Sequence, residues 1–575
     1  MAISLAARPQ RGNPRGPGAV YALATVALVA LVAAVALTAR QPAPPDIAEF
    51  APQARHQIHQ APLQQTSNFG NAPGTASGAP ASTTTTSTTP PLPGHAPPLT
   101  VPPATIDIPA IHHCVGNPPR QIADTQSPPC IAYWQGNNGG ATAPGVTATQ
   151  INALVNPASL GDENAHRVVQ DLQLFFNRYF EFYGRQLNLI DGSTEAGNCP
   201  TLESDADGLT QTYRPFADAG NDNYRTCAQL EFARDHVVAP GYQDIFSQSV
   251  MQQYAPYLWE YPEAPDDEFA DTGRFVCAQL AGKKASLSPT ATIASQQRKF
   301  GLINEYDQTP DPVSTAPLTQ HLASCGVKLA ATETYVDQDD SNAAQEEGSI
   351  IDFSTDAVLA MKEAGVTTVL CSCLNVDEVE LGLPVEADNQ GYYPEWLLTS
   401  SENDVDIVVK TLWPPGDQPD ALLGLTFTPA EVPYPDATLN WALQAVDPGF
   451  QVDDASPVFA NYQHFYFEML MLASGIQMAG PDLTPASFQR GLEATDFPNP
   501  FSPQREGAVD LPGSSHSMTT DAAVTWWSNN APSPYPDDPL GAWCYVDGGE
   551  RFSATNWQTP MRFYAGTCDA SPPGS

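Results

Sequence analysis

Apolar and polar positions in residues 147–496 follow two alternating patterns. Gln150–Val155 and Gln186–Ile190 are short runs rich in Ile, Leu and Val. Between them, Gly161 to Tyr183 places Val168, Val169, Leu172, Phe175, Phe176 and Phe180 on one helical face. Asp162 and Glu163 fall in the first turn and Gly184 at the end. A second series opens with the strand 299–303. It continues through a helix at 314–325, a strand at 327–331 and a helix at 352–364 closed by Gly365. An apolar strand follows at 367–371 and another at 396–400. Buried strands separated by helices are βαβ units of a parallel sheet. Two series predict an α/β chain with two sheets in two lobes. Ligands of open α/β sheets lie outside the carboxyl ends of the strands, so two facing lobes would form a cleft.

The flanking regions have a different character. Arg8, Arg11 and Arg15 precede an uncharged stretch from Gly16 to Ala39, and Arg40 closes it. About 20 apolar residues span a bilayer core, and the leading arginines place the N-terminus inside. Residues 1–40 therefore read as a cytoplasmic tail and single transmembrane anchor, with the bulk of the chain extracellular. A cleaved secretory signal is the rival reading, but Val35–Ala39 fits its small-x-small site poorly. Residues 41–105, with Ser82–Thr89 ahead of Pro90 and Pro91, form a disordered low-complexity stalk. Residues 106–146 are a Pro/Gly-rich lead-in holding the first two cysteines. Residues 497–575 are a loop-rich extension with aromatic islands, expected to pack on the lobes.

Charge narrows the partners. With 24 basic and 64 acidic residues the chain carries −40, which excludes the basic surface that nucleic acid requires. The 57 prolines and 40 glycines coexist with a 42% hydrophobic fraction, enough for a sizeable core. Ten cysteines, all beyond the apolar span, read as up to five disulfides of an oxidising compartment. Short loops favour Cys114–Cys130, Cys199–Cys227 and Cys544–Cys568. Cys371 and Cys373 point to opposite faces of a strand and are not expected to bond each other. Zinc at His112, His113 and Cys114 is the sharper alternative, but no second ligand pair follows at suitable spacing. No metal and no cofactor are expected.

Gly145-Val146-Thr147-Ala148-Thr149-Gln150-Ile151 resembles the opening of the branched-chain amino-acid type of periplasmic solute-binding protein, and Asn177–Tyr179 with Gly184–Leu187 that family's first helix-to-strand joint. Ala255–Trp259 with Phe275–Cys277 resembles the crossing into the second lobe. Ala360–Val369 and Gly391–Trp396 resemble units of that lobe, and Ala479–Thr484 a late turn. The resemblance covers about 147–496. It implies a type 1 periplasmic-binding fold, two Rossmann-like lobes joined by three crossings and closing on a small solute. One departure stands out. The stretch from Ala239 to Val250 is shorter than the family pattern, where a polar loop supplies first-lobe ligand contacts.

Candidate ligand-binding residues follow from position. Ser159 lies between the first strand and first helix, Tyr306 and Asp307 follow the first strand of the second lobe, and Glu402 matches the family acid that pairs with an ammonium group. Asp337–Asn342 begins like a calcium loop but has Asn342 at position six and Gly348 at position twelve, so it fails that pattern. Hydrolase and phosphate-loop signatures are absent, and His464 sits at core spacing in a helix. The expected function is therefore not enzymatic. The chain reads as a membrane-tethered extracellular protein that captures an amino acid or amide-like solute for a permease or sensor. The alternative is a ligand-free surface scaffold that keeps the two lobes.

Overall fold

The computed structural model describes residues 113–557 apart from internal segments, of which 373–381, 427–436 and 495–515 are the longest. The expected anchor and stalk lie outside the described residues. Among those described, no helix is long and apolar enough to cross a membrane.

The first lobe is built on β1 (Gln150–Val155), β2 (Gln186–Asp191), β3 (Ala217–Asp218), β4 (Ala239–Gly241) and β5 (Leu258–Glu260). β1 pairs in parallel with β2 and β3, and β4 with β5. A parallel bridge from Ala217 to Val238 joins the two groups, so the strand order is β2-β1-β3-β4-β5. Four helices connect these strands: α1 (Ala165–Tyr179), α2 (Cys199–Tyr213), α3 (Thr226–Arg234) and α4 (Gln248–Gln253). Side-chain alternation sends Ile151, Ala153 and Val155 into one core with Val168, Phe175 and Phe176 of α1. Leu154 goes the other way, against Leu202, Phe232 and Met251 of α2, α3 and α4. Each such buried apolar side chain contributes roughly 1.5–3 kcal/mol. Gly145 turns into β1 at φ 70°, and a Cβ there would lie 2.2 Å from the backbone nitrogen of Phe216.

The second lobe repeats that order. Its parallel strands are β6 (Phe300–Asp307), β7 (Thr332–Asp337), β8 (Thr368–Ser372), β9 (Glu395–Leu398) and β10 (Leu422–Thr426), arranged β7-β6-β8-β9-β10. One face carries α5 (Pro265–Phe275) and α6 (Ala316–Ser324), packed on Leu302, Leu370 and Leu397. The other carries α7 (Ala343–Glu363) and α8 (Leu383–Asn389), packed on Ile303, Val369, Cys371 and Leu398. Glu395, fully buried, forms two charge-assisted bonds with Arg298, at 2.7 and 2.8 Å. It also accepts from Leu287 N at 3.0 Å and Thr368 Oγ1 at 2.7 Å. One carboxylate thereby ties β8, β9 and the loop ahead of β6.

The chain crosses between lobes three times. It leaves β5 through residues 261–264 into α5, and it returns after β10 to α9 (Thr438–Gln444), α10 (Val458–Ala479) and α11 (Pro485–Leu492), which pack on the first lobe beside α1. After 495–515, Ser517 pairs with Glu260 as a sixth parallel position in the first sheet. The chain then enters β11 (Ala522–Pro532), antiparallel to β10. The three crossings implied by the family resemblance are all present.

Several expectations need correction. The strand expected at 327–331 lies instead at 332–337, because Leu302 pairs with Thr332 while Val327 and Leu329 fill the core beside α6. The C-terminal region reads as loops, yet β11, β12 (Leu540–Tyr545) and β13 (Arg551–Phe552) extend the second sheet. Ala522–Ser528 is buried on both faces, so no alternation marks it. The lead-in is part of the first lobe: Asp124 accepts from Tyr466 at 3.1 Å, and Arg185 donates to Thr147 O, Gly140 O and Pro481 O. Cys114–Cys130 and Cys199–Cys227 are bonded as expected, and Cys277–Cys325, passed over on loop length, is a third bridge joining α6 to the turn after α5. Cys371 and Cys544 are disulfide-bonded too; Cys568 lies outside the described residues. Its disulfide removes Cys114 as a zinc ligand, and His113 packs against Tyr179 and Trp441.

Breaking the buried pair tests this account of the second lobe. Arg298→Met should cost about 3–5 kcal/mol in denaturant unfolding by orphaning Glu395, whereas Arg167→Met, at the half-exposed pair with Asp447, should cost under about 1 kcal/mol.

Candidate functional site

All ten parallel strands end at the carboxyl edge of their own sheet. Ser517 pairs with Glu260 at that edge in lobe one, and Ala523 pairs with Thr426 at that edge in lobe two. Five residues lie between Ser517 and Ala523, at most about 20 Å of extended chain. The two carboxyl edges therefore meet across the crossings, where a cleft is expected.

In lobe one the switch point lies between β1 and β3. Asn156, directly after β1, is 2% exposed, and neither end of its side-chain amide has a hydrogen-bond partner. Ser159, predicted as a contact, lies three residues on and donates to Asn156 O at 2.7 Å, closing the turn into α1. Beyond β4 the edge is filled by rings. Tyr242 stacks on His464 with centroids 4.0 Å apart, and Tyr261 stacks on Phe467 at 4.6 Å. His464 is a packed residue of α10, as its spacing indicates. This stack fills the edge where β4 and β5 end.

In lobe two the strands finish on small polar residues. Asn304 of β6 pairs with Ser372 of β8, and Thr399 directly follows β9. Strand alternation turns all three toward the face that carries α5. Asn304 Oδ1 has no partner. Tyr306 and Asp307 carry β6 on to the same edge, paired through their backbones with Val336 and Asp337. Glu402 lies outside the described residues, as does most of the calcium-like segment after Asp337.

The first crossing and α5 bring carboxyl groups together. Glu263 and Glu268 are 2% and 3% exposed. Burial, then the charges of Asp271, Asp267, Glu268 and Asp521, holds the Glu263 carboxyl well above its ordinary range. Burial pushes Glu268 up to about 8, and the Thr399 hydroxyl lies close enough to its carboxyl to offset part of that shift. The well-formed hydrogen bond of that hydroxyl goes to Cys371 O at 3.4 Å, and no such bond reaches either Glu268 oxygen. Burial likewise raises Asp267 and Asp271 to about 6. Asp271 bonds Arg274 and accepts from Trp557 Nε1 at 3.2 Å, and Asp521 is held by Arg551 at 2.8 Å. Gln248 of α4 spans the crossings, donating from its backbone to Asp266 at 2.9 Å and from its side chain to Ser517 at 3.2 Å.

Among the described residues, the three acids close enough to share a metal ion are Asp207, Glu231 and Asp235. They are half-exposed, and Arg234 already pairs with Glu231 at 2.8 Å. The residues that sequence reasoning missed are Asn156, Asn304, Thr399 and Glu268. A polar residue closing an apolar strand is a usable signal for the first two. Glu268 has none, because it lies among other acids in Asp266-Asp267-Glu268.

No family model matches the chain, and no curated protein matches it. Solved structures of solute-binding proteins are similar to it at low identity. A leucine-, isoleucine-, valine-, threonine- and alanine-binding protein from Brucella ovis is 10% identical, with a TM-score of 0.47 over 74% of this chain and all of that one. An ABC-transporter solute-binding protein from Rhodopseudomonas palustris, in complex with p-hydroxybenzoic acid, is 11% identical with a TM-score of 0.46, covering 71% and 97%. A branched-chain amino acid ABC transporter protein from Thermus thermophilus, with bound valine, is 10% identical with a TM-score of 0.45, covering 71% and 97%. The architecture itself rests on the duplicated strand order and the crossings.

The raised carboxyl groups set the sign of the pH response. A carboxyl whose pKa is higher folded than unfolded favours the fold below the ordinary carboxylate range and loses that contribution as pH rises through its folded value. Thermal unfolding should therefore show Tm falling as pH rises from 5 to 8.5, with Glu268→Gln flattening the upper half of the slope. A Tm that climbs over that range would contradict these environments.

Proposed function

We propose that this chain is a solute-binding protein whose two lobes close on a small polar solute, an amino acid or amide-like molecule, at the facing carboxyl edges. On this reading the N-terminal span and stalk hold the head outside the membrane, where it delivers its solute to a permease or sensor. The observation that carries the reading is the pair Asn156 and Asn304. Each closes or nearly closes the first strand of a lobe, at the topological switch point, and each carries a buried amide atom without a partner. An unpaired buried amide costs about 1–3 kcal/mol, a cost that a bound solute would offset. The aromatic filling of lobe one, from Tyr242 to Phe467, is what supports the second reading, a scaffold that no longer takes a ligand.

The two readings separate on one substitution. Asn156→Ala should leave Tm unchanged or raise it, since it deletes an unpaired group. The same variant should weaken solute binding about 10–100-fold, measured as the Tm shift across a panel of amino acids and amides. A wild-type Tm unmoved by the whole panel would support the scaffold.

A further inference from the structure

The unpartnered atoms at the second lobe's carboxyl edge have one chemical bias. Glu268 contributes two carboxyl oxygens, Asn304 an amide oxygen and Thr272 a hydroxyl, all buried and all without hydrogen-bond partners. Glu268 and Thr272 are four residues apart on α5 and share a helix face. Asn304, Ser372 and Thr399 lean toward that helix from β6, β8 and the end of β9. Once Glu268 ionises, its two oxygens and the Asn304 amide oxygen accept hydrogen bonds and do not donate them, whereas the hydroxyls of Thr272, Ser372 and Thr399 can do either. Glu263, 2% exposed, adds a further carboxyl from the first crossing. The nearby cations are already engaged: Arg274 with Asp271, and Arg551 with Asp521. His321 of α6, against Gly273, is held toward its neutral form by burial and by Arg274.

A group that satisfies several acceptors and a carboxylate at once is a compact cation with several N–H donors. We propose that Glu268, supported by Thr272 and Asn304, receives an organic ammonium group, so that the solutes of this protein are amines carrying positive charge. The proposal rests on the solute-binding reading above and adds the charge of the ligand to it. Metal chemistry fits less well, because among the described residues these acids do not group closely enough to share an ion. Without a ligand the carboxyl is neutral at pH 7, since burial raises it to about 8. Amine binding therefore exchanges a proton for an ammonium group: the carboxyl O–H proton leaves to solvent, and the N–H donors take its place.

The test uses the purified full chain with ethylammonium, putrescine, L-lysine, propionamide, acetate and calcium chloride, followed by thermal shift and titration calorimetry. Expected results are stabilisation by the amines, little by propionamide or acetate, and affinity falling about tenfold per pH unit below 8. Calorimetry in buffers of different ionisation enthalpy should show close to one proton released per amine at pH 7. Glu268→Gln should keep or raise the ligand-free Tm while losing at least tenfold in amine affinity and the pH dependence with it. If propionamide binds as well as the amines, and equally in Glu268→Gln, the charge assignment falls while solute capture stands. Stabilisation by calcium alone overturns the amine assignment in favour of a metal. If no solute of any charge binds, both the assignment and the solute-binding reading fail. Should Glu268→Gln not fold, amine binding to the wild type without proton release overturns the proposal.

Discussion

Parallel strands joined by right-handed crossovers must all finish at the same edge of their sheet, and this constraint organises the molecule. Each lobe obeys it separately with the order 2-1-3-4-5. The chain leaves lobe one from the carboxyl end of β5 and lobe two from the carboxyl end of β10. The crossings are short beside these edges, so the edges have to face each other. Side chains that close a strand, Asn156 in one lobe and Thr399 in the other, are thereby carried to the same region without any local sequence requirement. The apolar interiors on both faces of each sheet leave that region as the natural place for polar groups to gather.

The acid excess bears on the same region. A chain with 64 acidic and 24 basic residues leaves most of its carboxyls without a cation. Where a pair is available the structure uses it fully, as at Arg298 and Glu395, each of whose contacts is short and buried. At the first crossing, among the described residues, Arg274 and Arg551 pair with Asp271 and Asp521, and burial keeps the proton on the Glu263 and Glu268 carboxyls. Neutral carboxyls pack at modest cost, whereas ionised ones beside Asp267 and Asp271 repel one another. The crossing is thus stable in its protonated form and sensitive to whatever charge approaches it.

Much of the architecture is legible in the residues. The strand at 150–155, the helix face from Val168 to Phe176, and the apolar strand near Thr368–Ser372 come directly from periodicity. The collinear family-like segments imply the three crossings found. Local patterns fail where tertiary pairing decides. Val327 and Leu329 look like strand residues, yet the β6 register assigns the strand to 332–337. Cys277 and Cys325, 48 positions apart, meet only because α5 and α6 pack together. Ala522–Ser528 hides its strand character by being buried on both faces. The site was less legible still. Ser159 and the backbones of Tyr306 and Asp307 reach the expected edges, but Asn156 and Glu268 stand out only once burial and missing partners are known.

The two lobes solve the same edge differently. In lobe one, Tyr242, Tyr261, His464 and Phe467 stack where β4 and β5 end, so aromatic rings fill that edge. The rings exclude water from that edge, while Asn156 and Asp218, both buried, close β1 and β3 at the switch point. In lobe two, the edge is lined by small polar residues with acids behind them on α5. At the carboxyl edges, the buried polar atoms without partners are thus concentrated on lobe two, with Glu268, Thr272 and Asn304 there against Asn156 in lobe one.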